Sequence, residues 1–106
     1  MAVIILPDAM ADLLALQHYM LDQWGETAWL TAEDEIFEKL EHVDAGRFNG
    51  TAVPELAGVG IQEYQQVLTS HHKLVYRRIG KDTYVYLVAG QRQDYPRLLV
   101  RRLLAR

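Results

Sequence analysis

Residues 63–106 read EYQQVLTSHHKLVYRRIGKDTYVYLVAGQRQDYPRLLVRRLLAR and contain three short runs rich in Tyr, Val and Leu. The runs are Glu63–Thr69, Lys73–Arg78 and Thr83–Ala89, and three or four residues separate each run from the next. Connections of this length join antiparallel neighbours in hairpins. We therefore predict a three-stranded antiparallel meander.

The third run is apolar on both of its faces. Side chains alternate along a strand, which places Tyr84, Tyr86 and Val88 on one face and Val85, Leu87 and Ala89 on the other. A strand with two apolar faces belongs inside a sheet, covered on both sides.

The chain before the meander predicts a strand and two helices. The short apolar run Ala2–Leu6 ends at Pro7, which opens a first helix, and Gly25 ends that helix. A second helix runs from Glu26 or Thr27 to about Val43 and forms a helical hairpin with the first. Apolar residues recur three and four apart along both helices: Met10, Leu13, Leu14, Met20, Leu21 and Trp24 in the first, and Trp29, Ala32, Ile36, Leu40 and Val43 in the second.

The segments around the meander predict a loop and a last helix. Residues 44–62 contain four glycines and a proline, which is a loop composition. Asp94 is a suitable N-cap for a helix opened by Tyr95 and Pro96, which Leu99 and Leu103 would dock. Arg97, Arg101 and Arg102 are expected to face outward.

Length and composition limit the possible classes of protein. A chain of 106 residues without cysteine suits one domain, residues 1–106, with no disulfide framework. Its apolar runs are too short for a signal peptide or a membrane span, so we expect a cytoplasmic protein without membrane contact. No phosphate-binding glycine motif or metal-ligand spacing occurs, so we expect no cofactor and no metal.

Charge is divided unequally along the chain. Residues 1–70 carry 12 acidic and 2 basic side chains, whereas residues 71–106 carry 2 acidic and 9 basic ones. Clustered charge of one sign steers the encounter with a partner of the opposite sign. The alternative interpretation is that the charged residues serve solubility and that the basic ones lie on a solvated helix without a partner.

The run HKLVYRRIGKDTYVYLVAGQRQDYPRLL, residues 72–99, resembles the ending of small bacterial toxins of the RelE/ParE superfamily. There, a strand, a short turn and a second strand lead into G-x-R-x-D-x-P-R-L-L. Ile4, Leu6 and Pro7 with the following amphipathic segment, and Val53–Leu56 before the meander, extend the resemblance over nearly the whole chain. It implies an α+β fold in the order strand, helical hairpin, three-stranded antiparallel meander and C-terminal helix.

The resemblance implies a toxin of a type II toxin–antitoxin pair, and the PRLL helix looks more like ParE than RelE. ParE-like members trap DNA gyrase without a nuclease site, so no catalytic residue is expected and the protein is more an inhibitor than an enzyme. No sequence-specific DNA binding is expected of the toxin alone. The basic residues proposed to contact the target are Lys73, Arg77, Arg78, Arg92, Arg97, Arg101 and Arg102.

Two alternatives stay open. A RelE-like, ribosome-dependent mRNA endonuclease would use Lys73 and Arg92 with Tyr95 or His72. A non-toxic relative that only binds antitoxin is the second, because Gln62, Glu63 and Gln65 occupy positions where family members often have basic residues.

The histidines and the hairpin complete the candidate residues. We interpret His71 and His72 as exposed turn residues, and His18 and His42 as surface or boundary residues. In the family an antitoxin segment wraps the helical hairpin, so part of its apolar face is expected to bind antitoxin while the rest packs on the sheet. The candidate antitoxin contacts are Leu13, Leu14, Met20, Leu21, Trp24, Trp29 and Ile36.

Overall fold

A computed structural model describes residues 2–47, 49–90 and 95–104 of the chain. Its helices are α1, α2, α3 and α4, followed by one π-helical turn, and its strands are β1 to β5. The helices span Pro7–Gln23, Glu26–Asp44, Pro54–Ala57 and Tyr95–Leu99, the turn spans Val100–Leu104, and the strands span Val3–Ile5, Thr51–Ala52, Gln65–Leu68, His72–Ile79 and Asp82–Gly90.

The strands of the described residues form one sheet in the order β1-β5-β4-β3-β2. β3, β4 and β5 pair antiparallel, which confirms the predicted meander, and β5 lies between β4 and β1 as its two apolar faces predicted. β1 pairs parallel with β5 and stops at Ile5, opposite Val85. The rest of that β5 edge is therefore left for other groups to pair.

The predicted helical hairpin covers one face of the sheet. α1 begins at Pro7, and Gly25, with φ of 93°, provides the left-handed turn between the two helices. Ala9, Leu13 and Ile36 pack with Leu74 and Val85 in the first core cluster. None of the helices in the described part of the chain is long and apolar enough to cross a bilayer.

The opposite face of the sheet carries a second core cluster. Leu56 of α3 and Leu99 of α4 pack there against Val75 and Leu87, with Leu103 partly buried beside them. The prediction that Leu99 and Leu103 dock the last helix is confirmed. Asp94, the predicted N-cap, lies outside the described residues.

A β-bulge changes the expected alternation along β5. Val75 of β4 lies opposite Leu87, but the next residue, Tyr76, lies opposite Val85, so Tyr86 is the extra residue. Val85 and Val88 consequently both face the hairpin. The prediction that Val85 shares a face with Leu87 and Ala89 was wrong because uninterrupted alternation does not hold across a bulge.

The predicted loop between the hairpin and the meander contains two short elements, β2 and α3. The Gly50 amide donates a hydrogen bond of 2.8 Å to the Tyr76 hydroxyl, and β2 pairs with β3. A Cβ at Gly50 would lie 2.4 Å from the Gln66 carbonyl oxygen. Only glycine allows this approach, which fixes the segment against the edge of the sheet.

Candidate functional site

Two predicted basic residues lie on the face of β4 opposite the hairpin. Lys73 and Arg77 alternate with Leu74 and Tyr76, which pack under the hairpin. The Lys73 ammonium lies 4.3 Å from the centre of the Tyr95 ring, a cation–π contact. This face thus holds a lysine close to the tyrosine of the nuclease alternative.

The hydroxyl of Tyr95 is already engaged. Tyr95 is buried, and its hydroxyl donates a hydrogen bond of 3.0 Å to Oε1 of Gln66. Burial, with a smaller contribution from the negative charge of Glu55, raises the pKa of the Tyr95 hydroxyl above its ordinary value. A hydroxyl held protonated in this way is a poor proton acceptor near neutral pH.

Arg77 lies beside a pair of tyrosines. Its guanidinium is 5.6 Å from the centre of the Tyr64 ring, and that ring meets the Tyr86 ring edge to face at a centroid distance of 5.1 Å. The cation and the rings form one half-buried strip. Such a strip can offer both charge and flat apolar area to a partner.

Arg78 does not join that strip. It lies on the hairpin side of β4, where its guanidinium donates a hydrogen bond to the Val43 carbonyl near the C-terminus of α2. Cations stabilise helix C-terminal carbonyls in this way. Of the predicted target contacts, Arg78 is therefore on the other face of the sheet from Lys73 and Arg77.

Arg102 does not face outward, so that expectation was wrong. Its guanidinium forms two hydrogen bonds with the Asp12 carboxylate, of 2.9 and 2.8 Å, and a third of 3.0 Å with the Tyr86 carbonyl. The same carboxylate accepts a hydrogen bond of 3.0 Å from the Val88 amide. Asp12 and Arg102 thus pair with the β5 edge that β1 leaves open.

The remaining predicted target contacts are Arg92, Arg97 and Arg101. Arg97 and Arg101 are exposed on the last helical segment, as predicted. Arg92, a predicted target contact and a residue of the nuclease alternative, lies outside the described residues.

His72 is buried, which corrects the prediction of an exposed turn residue. It is 2% exposed, and β4 begins with it because Thr69 closes the turn: the Thr69 hydroxyl accepts hydrogen bonds from the amides of His71 and His72. His72 shares the hairpin face of β4 with Leu74, whereas Tyr95 packs on the other face. The structure therefore does not bring together His72 and Tyr95. His71 is exposed as predicted, and so is His18, while His42 lies at the boundary.

His72 borders a cleft of about 620 Å³ beneath the end of the hairpin. Tyr19, Met20 and Trp24 line the helical side of the cleft, and Val88 and Gly90 line the sheet side. The Nδ1 atom of His72 is buried and has no hydrogen-bond partner among the described residues. Burial, and then the neighbouring His71, lower the pKa of the His72 imidazole, while Glu35 has a smaller opposite effect.

The predicted antitoxin contacts divide into two groups. Leu13, Met20, Trp29 and Ile36 lie in the core under the hairpin, so a partner cannot reach them without unfolding it. Leu14, Leu21 and Trp24 are exposed, at 53%, 41% and 64%. A seven-residue step places Leu14 and Leu21 along one flank of α1, beside the buried stripe, whereas Trp24 follows the end of α1 and lines the cleft beside His72.

Two residues that build this region, Asp12 and Glu35, were not predicted from the sequence. Asp12 pairs with Arg102, 90 positions away, and Glu35 accepts hydrogen bonds of 2.9 Å from the amide and hydroxyl of Ser70. Each lies on a half-buried helical position, but the partner of each is distant along the chain, so local residue spacing does not indicate either contact.

Three comparisons with known proteins bear on this arrangement. Residues 3–95 match the family described as ParE toxin of type II toxin-antitoxin system, parDE. A solved structure titled "Chromosomal ParDE TA system from P. aeruginosa" has a TM-score of 0.67 over 85% of this chain and 95% of that chain, at 17% identity. No curated protein sequence matches the chain. At this identity the solved structure shows a shared fold, in agreement with the predicted α+β order.

Proposed function

Because the chain belongs to the ParE toxin family of type II toxin–antitoxin systems, we propose that it arrests growth by blocking DNA gyrase and that a cognate antitoxin neutralises it. The family match over residues 3–95 is the observation that carries this proposal. Gyrase inhibition is the activity that the resemblance to ParE implies.

The arrangement of the described side chains supports a toxin that blocks gyrase more than one that cleaves RNA. The Tyr95 hydroxyl is buried against Gln66, and His72 lies on the other face of the sheet from Lys73. General acid–base catalysis needs both proton-transfer groups within hydrogen-bond reach of one substrate. The residues of the nuclease alternative do not meet that requirement within the described part of the chain.

Exposed and half-buried cations on the side of the sheet opposite the hairpin support a contact surface for the target. Arg97 and Arg101 lie on the last helical segment, and Lys73 and Arg77 lie on the β4 face where that segment packs. We propose this surface as the toxic contact, with Arg102 acting instead to hold the segment in place. Gyrase bound to DNA presents the negative charge that such a surface attracts.

The test is to induce the full chain in bacteria without the neighbouring antitoxin gene and to add the purified chain to gyrase in a supercoiling assay. We expect growth arrest, loss of supercoiling activity and restored growth when the antitoxin is co-expressed. Total RNA from the induced cells is examined in parallel.

The other outcomes identify the alternatives. Growth arrest with active gyrase and cleaved transcripts would replace this proposal with the mRNA endonuclease. Normal growth with retained antitoxin binding would leave only the non-toxic relative.

A further inference from the structure

A row of half-buried side chains crosses three strands on the face of the sheet opposite the hairpin. Arg77 of β4 lies opposite Tyr84 of β5, and Tyr84 lies opposite Ile4 of β1. Paired residues of neighbouring strands share one face of a sheet. Tyr64 joins this row because the Arg77 guanidinium lies over its ring, and Tyr86 joins it because the two tyrosine rings meet edge to face. We call these five residues the tyrosine face.

The helical elements cover only the neighbouring half of this side of the sheet. Leu56 of α3 and Leu99 of α4 pack there over Val75 and Leu87. The five residues of the tyrosine face are half-buried, and none of them is among the buried residues of either core cluster. Three tyrosines therefore stay partly open to solvent, whereas Tyr95 is buried under the helical cover.

The composition of the tyrosine face is typical of a contact between proteins. Tyrosine and arginine are enriched at the centres of protein interfaces, where a few such residues carry most of the binding energy. A tyrosine ring offers a large, rigid apolar area, and its hydroxyl can bind across the contact. Arg77 is the one charged member of the tyrosine face, whereas a nucleic-acid site needs several cations for successive phosphates. This composition therefore favours a protein partner over a nucleic acid.

We propose that the tyrosine face binds gyrase at an apolar patch with a carboxylate opposite Arg77, and holds the complex together after Arg97 and Arg101 have steered the encounter. The inference rests on the proposed function and adds to it the residues that set the lifetime of the complex. Tyr64 packs against the core cluster that contains Leu99 of α4, so the tyrosine face adjoins the last helical segment. One partner can therefore contact both surfaces together.

Position and charge disfavour the other occupants of the tyrosine face. The hairpin, where the antitoxin is expected to bind, lies on the opposite side of the sheet. Arg77 lies on β4, between Tyr64 next to β3 and Tyr84 on β5. A two-fold contact between copies of this chain would therefore bring the Arg77 side chains of both copies near each other. Like charges that face each other across an interface are destabilising.

The experiment measures the association and dissociation rates of the full chain on immobilised, purified gyrase at about 100 mM and about 400 mM salt. The double variant Tyr64→Ala/Tyr86→Ala is expected to dissociate at least about tenfold faster, because it removes the rings that exclude water from the contact. Its association rate should stay within about threefold of the wild type and keep the same salt dependence, because the steering charges are unchanged. The concentration needed to inhibit supercoiling should rise by a similar factor.

Two further variants separate loss of binding from loss of folding. Tyr64→Phe/Tyr86→Phe keeps both rings and should dissociate within about threefold of the wild-type rate. Tyr84 belongs to neither core cluster, so Tyr84→Ala should keep the wild-type melting temperature and still dissociate about fivefold faster. If circular dichroism shows that Tyr64→Ala/Tyr86→Ala is unfolded, Tyr84→Ala decides the test.

The matched control is Tyr19→Ala/Trp24→Ala, which removes two aromatic side chains of 51% and 64% exposure from the hairpin side. It is expected to keep the wild-type rates on gyrase. Wild-type dissociation rates of the folded alanine variants of the tyrosine face, or an equal acceleration in the control, would overturn the inference while leaving the proposed function intact.

Three other outcomes would also overturn the inference. Failure of the wild-type chain to bind or inhibit gyrase would overturn the proposed function together with it. Binding of a fluorescent single-stranded DNA or RNA oligonucleotide that Tyr64→Ala/Tyr86→Ala abolishes, with unchanged rates on gyrase, would assign the tyrosine face to a nucleic acid. Self-association seen by analytical ultracentrifugation and abolished by the same variant, again with unchanged rates on gyrase, would assign the face to a second copy.

Discussion

The environment of His72 comes from the short turn before it. Thr69 binds the amides of His71 and His72, and Glu35 of α2 binds Ser70, so the turn is held against the hairpin. The imidazole that follows is buried, and this burial, followed by the neighbouring His71, lowers its pKa below the ordinary value of 6.5. His72 is therefore neutral in the folded protein near pH 7.

The free energy of unfolding is expected to fall as the pH drops below about 6.5, because the unfolded chain then binds a proton at His72 that the folded chain does not. Below the folded-state pKa both states are protonated and the effect stops growing. Replacing His72 with leucine should remove this contribution. Urea unfolding at about pH 7.5 and about pH 5.5 measures the difference between the variant and the wild type.

The control for this prediction is His71→Leu, since His71 is the exposed neighbour in the same turn. It should keep most of the wild-type pH dependence. A His72→Leu variant whose stability changes with pH as steeply as the wild type would show that other groups cause the dependence.

Asp12 and Arg102 form the ion pair that attaches the last helical segment to α1. Asp12→Ala would leave the guanidinium half-buried and the Val88 amide without its acceptor. We expect a loss of about 2 kcal/mol in the free energy of unfolding. A double-mutant cycle with Arg102→Ala isolates the pairwise energy, which should be about 1 kcal/mol or more.

Asp8 provides the matched control. Its carboxylate is 3.9 Å from Nε of Arg102 and its side chain is 76% exposed, so water screens this pair strongly. Asp8→Ala should leave stability almost unchanged. Equal effects of the Asp8 and Asp12 variants would contradict a specific role for the Asp12 carboxylate.

At the scale of elements, α1 presents two apolar stripes with different roles. Leu13 and Met20 belong to the buried stripe, while Leu14 and Leu21 belong to the exposed one. A single apolar face cannot be this wide and still be covered by the sheet. The extra width leaves Leu14 and Leu21 exposed to solvent.

Adjacent leucines on α1 allow the two roles to be separated. Leu13→Ala should reduce the free energy of unfolding by about 3 kcal/mol, because it leaves a cavity in the core. Leu14→Ala should change stability by less than about 0.5 kcal/mol but weaken antitoxin binding at least about fivefold. Denaturant unfolding and calorimetric titration test the two effects, and a Leu14→Ala variant with full antitoxin affinity would remove Leu14 from the interface.

The features predicted correctly from the sequence are those that depend on the spacing of residues close together along the chain. The meander, the hairpin and the docking of Leu99 follow from spacing within about ten residues, as does the ending of α1 at Gly25. The features that the sequence could not predict depend on distant partners. β2 is fixed by Gly50 approaching Tyr76, and Arg102 is turned inward by Asp12, 90 residues earlier.

The candidate site was harder to predict than the fold for the same physical reason. An arginine in a predicted helix is expected to be exposed unless its partner is known. The spacing of the leucines alone did not show that Leu13 is buried and Leu14 exposed. The β5 bulge likewise depends on pairing with β4, since nothing in the run from Thr83 to Ala89 interrupts its alternation.

For the whole molecule, the two charged halves of the sequence correspond to different surfaces. The acidic residues concentrate on the hairpin, and most of the described cations lie on β4 and the last helical segment. Opposite charges on separate surfaces let one small chain meet two partners of different charge. This separation agrees with our proposals that the antitoxin binds the hairpin and that the toxic contact lies on the other face.

The double variant Arg97→Glu/Arg101→Glu tests that separation. Reversing two exposed charges should abolish growth arrest and raise the concentration needed to inhibit gyrase at least about tenfold, because the surface would repel its negatively charged target. The hairpin is unchanged, so antitoxin affinity should stay within about twofold of the wild type. The control Arg47→Glu/Lys81→Glu changes net charge equally at exposed positions elsewhere and should remain toxic. Full toxicity of Arg97→Glu/Arg101→Glu, with a normal melting temperature, would place the toxic contact on another surface. An equal loss of toxicity in both double variants would show that toxicity depends on net charge and not on this surface.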